Sequence, residues 1–400
     1  MTVQAPSAVI MIRAERFAPN PATAADNAFQ SPGPETSTDD QIAAAALAEM
    51  DEVARALRAV KVTVHTFADA DHTRPDSVFP NNWLSTHAGG SVAVYPMYAS
   101  NRRHERRGDV LELLKSKYRV QTIVDYSGLE PDGVFLEGTG AMVLDHESRV
   151  AYVARSHRAD TAVLERFCTD FAYEPMPFDA VDSDGVAIYH TNVMMCIGTE
   201  VALVGADLIR DERRRAEVIE RLTGHGRAVV ELTNEQIGEF AGNAIELQGD
   251  KSQGRPEHAG RVLAMSERAH RSLRPDQIEV IERSCRILPV AIPTIELAGG
   301  SVRCMIAGLH LDPRPVAATP SAATEAIDEH PGTADGQDVS GDTRYGSRPR
   351  FGNELALSTP AQAGEQHSAD DQGAGGEFDP ARHLVEDHPG RQHPEDRHQH

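Results

Sequence analysis

Cys304 stands in "GGSVRCM", behind Gly299 and Gly300 and beside Arg303. A thiol becomes a nucleophile when a cation or a base favours its thiolate, and paired glycines let the backbone approach a ligand closely. A buried structural thiol is the commoner fate of cysteine. The glycines and the arginine set Cys304 apart from Cys168 and Cys285, in helical patterns, and from Cys196, inside the apolar "VMMCIG". His190 and Asn192 lie two apart in "IYHTNVMMCIG". In a strand that spacing puts both on one face, where a neutral imidazole can take or give a proton; the alternative is a satisfied structural histidine. Glu137 precedes two glycines in "VFLEGTG", a bend at which a carboxylate holds a ligand or caps a turn. "VFPNNWLSTH" sets Asn81 and Asn82 before Trp83, the only tryptophan, and tandem amides after proline are turn chemistry. "NRRHERRGDV" packs four arginines into six residues. They form a solvated helical face, or one of them grips a substrate carboxylate bidentately.

These motifs need elements to carry them. Residues 1–312 alternate strand-like runs ("SAVIMIR", "KVTVHTF", "SVAVYPM", "VALVGAD", "SVRCMIAGLHL") with amphipathic helical stretches such as "DDQIAAAALAEMDEVARALRAV" and "NRRHERRGDVLELLKSK". The motifs "FPNNW", "LEGTG", "YHTNV", "FAGN" and "GGSVRC" recur at intervals of about 50 to 60 residues. That beat predicts five α/β repeats, each directing one polar motif at a common centre. From Pro313 onward the chain is rich in Pro, Gly, Asp, Glu, Gln and His, with hardly an aliphatic run. Such a segment cannot bury enough apolar surface to offset its ordering entropy, so 313–400 is expected to be a disordered tail. Its His-rich end, "EDHPGRQHPEDRHQH", is read as solvated, with no fixed geometry for a metal.

The formal net charge of -22 argues against a nucleic-acid surface or an anionic membrane as partner. The four cysteines show no C-x-x-C spacing and are read as reduced thiols of a cytoplasmic protein. No run approaches the roughly 18 apolar residues of a membrane span. No metal-ligand spacing appears in 1–312, so neither metal nor cofactor is expected.

Together, "MIRAERFAPNPATAADNAFQ", "VFPNNWLSTH", "NRRHERR", "FLEGTGAMVLD", "IYHTNVMMCIG", "FAGNAIEL" and "IPTIELAGGSVRCM" resemble the arginine-deiminase-related branch of the guanidine-modifying hydrolases and amidinotransferases. The match is narrower to the bacterial citrulline-utilization hydrolases, and it runs over about residues 8–312. The resemblance implies a pentein-type fold, a five-bladed pseudo-symmetric α/β propeller of ββαβ-like repeats with a central active site. It implies Cys304 as the nucleophile on a guanidino or ureido carbon, His190 as the proton shuttle, and Glu137 as the holder of the substrate's terminal nitrogens. Asn82 and Asn192 fall where arginine-deiminating relatives carry aspartates, and with Arg303 they are the expected substrate-binding residues. Ala298 stands where a third glycine is expected.

The amides bear on the substrate. A guanidinium is a cation with donors only; a ureido group is neutral and adds one carbonyl acceptor. Buried carboxylates around a neutral group would carry uncompensated charge, whereas carboxamides supply a donor and an acceptor each. The expected reaction is therefore citrulline to ornithine, ammonia and carbon dioxide through a covalent thiol adduct. The alternatives are an arginine or methylarginine deiminase, an amidinotransferase, and a non-catalytic binding propeller. The expected partner is a small ureido or guanidino amino acid; self-association is left open.

Overall fold

The computed structural model describes residues 3–33, 36–252 and 255–315, all within one compact unit, Met1–Ser321. The expected disordered tail, apart from its first three residues, lies outside the described residues.

Among the described residues, fifteen strands form five three-stranded sheets, and every sheet repeats one plan. A central strand pairs antiparallel with a short strand on one side and parallel with a third strand on the other, the third reached through a helical connection. Four sheets follow chain order: Leu84–His87, Ser91–Val94 and Thr122–Asp125; Val143–Asp145, Val150–Ala154 and Glu174–Phe178; Met195–Ile197, Val201–Val204 and Ala228–Glu231; Ile245–Gln248, Arg261–Ser266 and Arg286–Val290. The fifth takes its central strand, Ala8–Ala14, and its parallel strand, Thr63–Asp69, from near the N-terminus, and its short strand, Ala307–Gly308, from the far end of the described region.

The local sequence accounts for this plan. Central strands such as "VAYVA" and "VALV" are buried at every position, as strands covered on both faces must be. The helix Asp39–Ala59 opens with a Thr38–Gln41 capping box and two acidic residues, and buries Ile42, Ala46, Met50, Val53 and Leu57 on one face. Asp160, Asp211 and Ser266 N-cap later helices without the reciprocal bond, each accepting one backbone N–H. No helix among the described residues is long and apolar enough to cross a membrane.

Three local expectations are corrected. "NRRHERRGDVLELLKSK" is not one helix: Ser100–Glu105 is a 3-10 turn, Arg106 and Arg107 are extended, and the α-helix begins at Gly108. His190 and Asn192 do not share a strand; they belong to a 3-10 turn, and the strand begins only at Met195. Cys304 also lies in a turn, three residues before its two-residue strand.

Candidate active site

The turn that leads into each short strand supplies one element of the site. Asn82 precedes Leu84–His87, Gly140 precedes Val143–Asp145, and Asn192 precedes Met195–Ile197. Asn243 precedes Ile245–Gln248, and Cys304 precedes Ala307–Gly308. Contacts between residues 51 to 112 apart in sequence follow. The Cys304 sulfur accepts the side-chain amides of Asn192 and Asn243, each at 3.2 Å. Asn243 also donates to the Asn192 carbonyl at 3.0 Å and accepts the Arg303 backbone N–H at 3.0 Å, which fixes which end of its amide faces sulfur. The two amides form a donor pair able to stabilise a thiolate or its adduct.

His190 is buried and bonded at both ring nitrogens. Nε2 meets Glu137 Oε2 at 2.8 Å and Nδ1 meets the Asn82 amide nitrogen at 3.5 Å. Asn82 Oδ1 in turn accepts from Arg102 at 3.2 Å, which turns its NH2 end toward the imidazole. With Nε2–H donated to the carboxylate, Nδ1 is the unprotonated ring nitrogen, and its lone pair faces the Asn82 NH2. Burial pushes the imidazole down to about 4, against the opposing pull of Glu137. Burial alone would raise Glu137, but Arg158, His190 and Arg102 outweigh it and hold the carboxyl well below its usual range. Arg158 and Arg102 approach Glu137 Oε2 at 3.6 and 3.7 Å, and the Tyr98 backbone N–H donates to Oε1 at 2.9 Å. A neutral imidazole backed by an ionised carboxylate can take up a proton and share the resulting charge.

Gly140 makes this packing possible: a Cβ there would fall 2.1 Å from the Asn82 amide nitrogen and 2.9 Å from the His190 ring. Gly299 carries the left-handed backbone, φ 76°, and Asn27 packs where its side chain would be. Ala298 sits inside the preceding turn, Ile295–Ala298, without positive φ, so the missing third glycine leaves the loop intact.

Cys304 and His190 open onto a small cavity also bounded by Asn82, Asp76, Arg102 and Arg158. Arg102 is clamped by Glu105, with two contacts of 2.9 Å, and lies 3.6 Å from Asp76. Arg158 is clamped by Asp26 at 2.9 and 2.5 Å and lies over the Tyr189 ring. Asp76 accepts from Asn20 through Oδ2, but its buried Oδ1 has no hydrogen-bond partner among the described residues.

A family model described as N,N dimethylarginine dimethylhydrolase, eukaryotic, matches residues 13–311. The chain belongs to that family. With it the chain belongs to the arginine deiminase and amidinotransferase superfamily of guanidino-modifying enzymes, as its motifs suggested, and it is a hydrolase of non-peptide C–N bonds. No curated protein gives a significant match. Among solved structures, the substrate-bound N-terminal domain of ArgZ, an arginine dihydrolase from the ornithine-ammonia cycle in cyanobacteria, is similar with a TM-score of 0.56 at 16% identity, over 76% of this chain and 99% of that one. AgrE in complex with L-arginine gives 0.57 at 14% identity, over 75% of this chain and 40% of that one. A dimethylarginine dimethylaminohydrolase adduct with S-methyl-L-thiocitrulline gives 0.51 at 14% identity, over 77% and 100%.

In this dimethylarginine dimethylhydrolase family member the structure forms two hydrogen-bonded groups, His190 with Glu137 and Asn82, and Cys304 with Asn192, and Asn82, His190 and Cys304 line one cavity. Glu137 lies behind His190 rather than on the cavity wall. Arg303 is not brought in. Its side chain lines a different cavity, because successive residues of a tight turn point apart, and its Nη1 donates to the Ile306 carbonyl. Sequence reasoning missed Asn243, Arg158 and Asp76. Asn243 had a signal in the recurring "FAGN" motif; Arg158 and Asp76 are isolated residues with none.

Proposed function

We propose that this chain hydrolyses the ureido group of citrulline to ornithine, ammonia and carbon dioxide through an adduct on Cys304. The observation that carries this reading is the amide lining of the reacting centre. Asn82, Asn192 and Asn243 reach the base and the nucleophile, while Glu137 is already engaged by His190, the Tyr98 N–H and two guanidinium groups. Asn192 also keeps a buried Oδ1 with no partner among the described residues, a neutral acceptor beside the thiol and suited to a ureido N–H.

In this mechanism His190 takes the thiol proton, and the sulfur adds to the ureido carbon. The proton then passes to the departing nitrogen, and water deprotonated by His190 releases the acyl adduct. Glu137 balances the transient imidazolium, and the amides of Asn192 and Asn243 stabilise charge on sulfur. Arg102 and Arg158 are the seats for the substrate carboxylate, and the open oxygen of Asp76 is the seat for its α-ammonium. We read the five sheets as the blades of a five-bladed propeller, with 1–312 as the catalytic unit and 313–400 appended to it. This assigns each turn that precedes a short strand to the propeller's centre.

A second reading, a guanidino substrate, is favoured by the same Asp76 oxygen, an unpaired carboxylate atom in the cavity; the ArgZ and AgrE structures hold arginine-type chemistry. Separate incubations with citrulline, arginine and N,N-dimethylarginine decide the matter, with ornithine, citrulline and ammonia followed over time. Ornithine formed from citrulline is the expected result. Citrulline accumulating from arginine or from dimethylarginine would overturn the ureido argument in favour of the second reading.

A further inference from the structure

Consecutive residues of one turn face different cavities: Cys304 the catalytic one, Arg303 a larger one. The short strand of every sheet lines this second cavity, through Ser85, Leu144, Cys196, Glu246 and Gly308. Arg303 makes one side-chain hydrogen bond, from Nη1 to the Ile306 carbonyl at 2.8 Å, and has no carboxylate within ion-pair distance among the described residues. His310 lines the same space, and its Nδ1 is without a partner among them. Glu246 is 2% exposed. Its Oε2 accepts the Thr199 backbone N–H at 2.7 Å and the Thr199 hydroxyl at 2.6 Å, with Arg261 at 3.6 Å from Oε1. Yet Oε1 makes no hydrogen bond.

A guanidinium without a counter-charge and a buried acceptor without a donor sit in one cavity. The occupant that satisfies both carries negative charge and an acidic hydrogen together. We propose that this cavity binds a small hydrogen-bearing oxyanion, hydrogencarbonate or hydrogenphosphate, with its oxygens on Arg303 and its O–H donated to Glu246 Oε1. Sulfate has the same charge and shape as hydrogenphosphate but no hydrogen, and it would set a lone pair against the carboxylate. The site communicates with the nucleophile, because the Arg303 backbone N–H donates to Asn243, whose amide donates to Cys304. It stands independently of the substrate proposed above.

Calorimetric titration of the full chain with phosphate, hydrogencarbonate and sulfate at fixed ionic strength and neutral pH tests the site. Saturable binding of phosphate, of hydrogencarbonate or of both is expected, and which of them saturates identifies the source. Sulfate should bind about tenfold more weakly or worse, the scale of a lost hydrogen bond to a charged group. In Glu246→Gln, whose amide can donate, that preference should vanish or reverse. If Glu246→Gln does not fold, Arg303→Gln replaces it and should lose binding of the hydrogen-bearing anions. Arg158→Gln, which removes a cation from the catalytic cavity, should bind as the wild type does. The proposal fails if the wild type binds neither anion saturably, if sulfate binds equally well, or if Arg158→Gln abolishes binding.

Discussion

Two sets of imidazoles among those buried in the described residues, His190 on one hand and His87 with His146 on the other, differ in what stands behind the ring. His190 has an ionised carboxylate at 2.8 Å. His87 and His146 have hydroxyl groups instead: His87 Nε2 meets Ser85 at 2.7 Å and His146 Nδ1 meets Tyr173 at 2.8 Å. Burial pushes all three down. Only His190 has its fall opposed by a negative partner, stopping at about 4; neighbouring cations push His87 and His146 further, well below the ordinary histidine value. A buried imidazole is a usable base only where a fixed negative charge can receive the proton's charge. Next to hydroxyls the same ring is a rigid, neutral filler.

The comparison can be broken at several points. Cys304→Ala removes the sulfur of the proposed nucleophile. Turnover measured as ammonia release should fall roughly 10⁴-fold or more with the melting temperature little changed, and undiminished turnover would end the catalytic assignment. Glu137→Gln keeps a polar partner for His190 but removes the charge, so kcat should fall roughly 10³-fold; a drop of less than tenfold would make the carboxylate dispensable. Gly140→Ala forces a methyl group into the Asn82–His190 contact, and a displacement of that kind costs on the order of 10²-fold in kcat.

The pH dependence follows from the same contrast. Activity needs neutral His190, so kcat/KM should be flat above its acid limb and fall about tenfold per pH unit below roughly 4. Stability has the matching sign. The unfolded chain protonates its histidines near 6.5, whereas folded His190 and His310 resist until about 4. Between those values the unfolded state binds more protons, so this contribution is full above 6.5 and shrinks as pH falls toward 4. Urea midpoints at pH 7 and pH 4.5 would show it, and equal midpoints would contradict it. Tyr173→Phe gives the smallest effect: it removes a hydroxyl partner of His146 and should cost about 1 kcal/mol of stability, with kcat within about twofold of wild type.

Much of the centre was legible because the five-beat recurrence marks the turns that enter the short strands. Cys304, His190, Asn82 and Asn192 could be singled out by type and by motif. What could not be read was direction. The two-residue spacing of His190 and Asn192 suggested a shared strand face, but strands of three residues begin too late to include them, and a 3-10 turn sets their orientation. Adjacency to Cys304 made Arg303 look like a substrate ligand, when a tight turn sends neighbours to opposite sides. Of the four arginines in "NRRHERR", Arg102 alone is deeply buried and lines the catalytic cavity, because the predicted helix breaks at Arg106 and Arg107. Arg158 and Asp76 belong to no motif, and only tertiary packing brings them to the cavity.

The strand Ala307–Gly308 has a consequence in time as well as in space. It completes a sheet whose other two strands are among the first made, and it follows Cys304 directly. A growing chain emerges at about 5 to 20 residues per second, so base, carboxylate and amides all exist well before the thiol leaves the ribosome. The proposed nucleophile arrives with the segment that ties the late chain to the early one, and an unfinished copy, which already carries Cys168, Cys196 and Cys285, lacks the one thiol that faces His190 across the catalytic cavity.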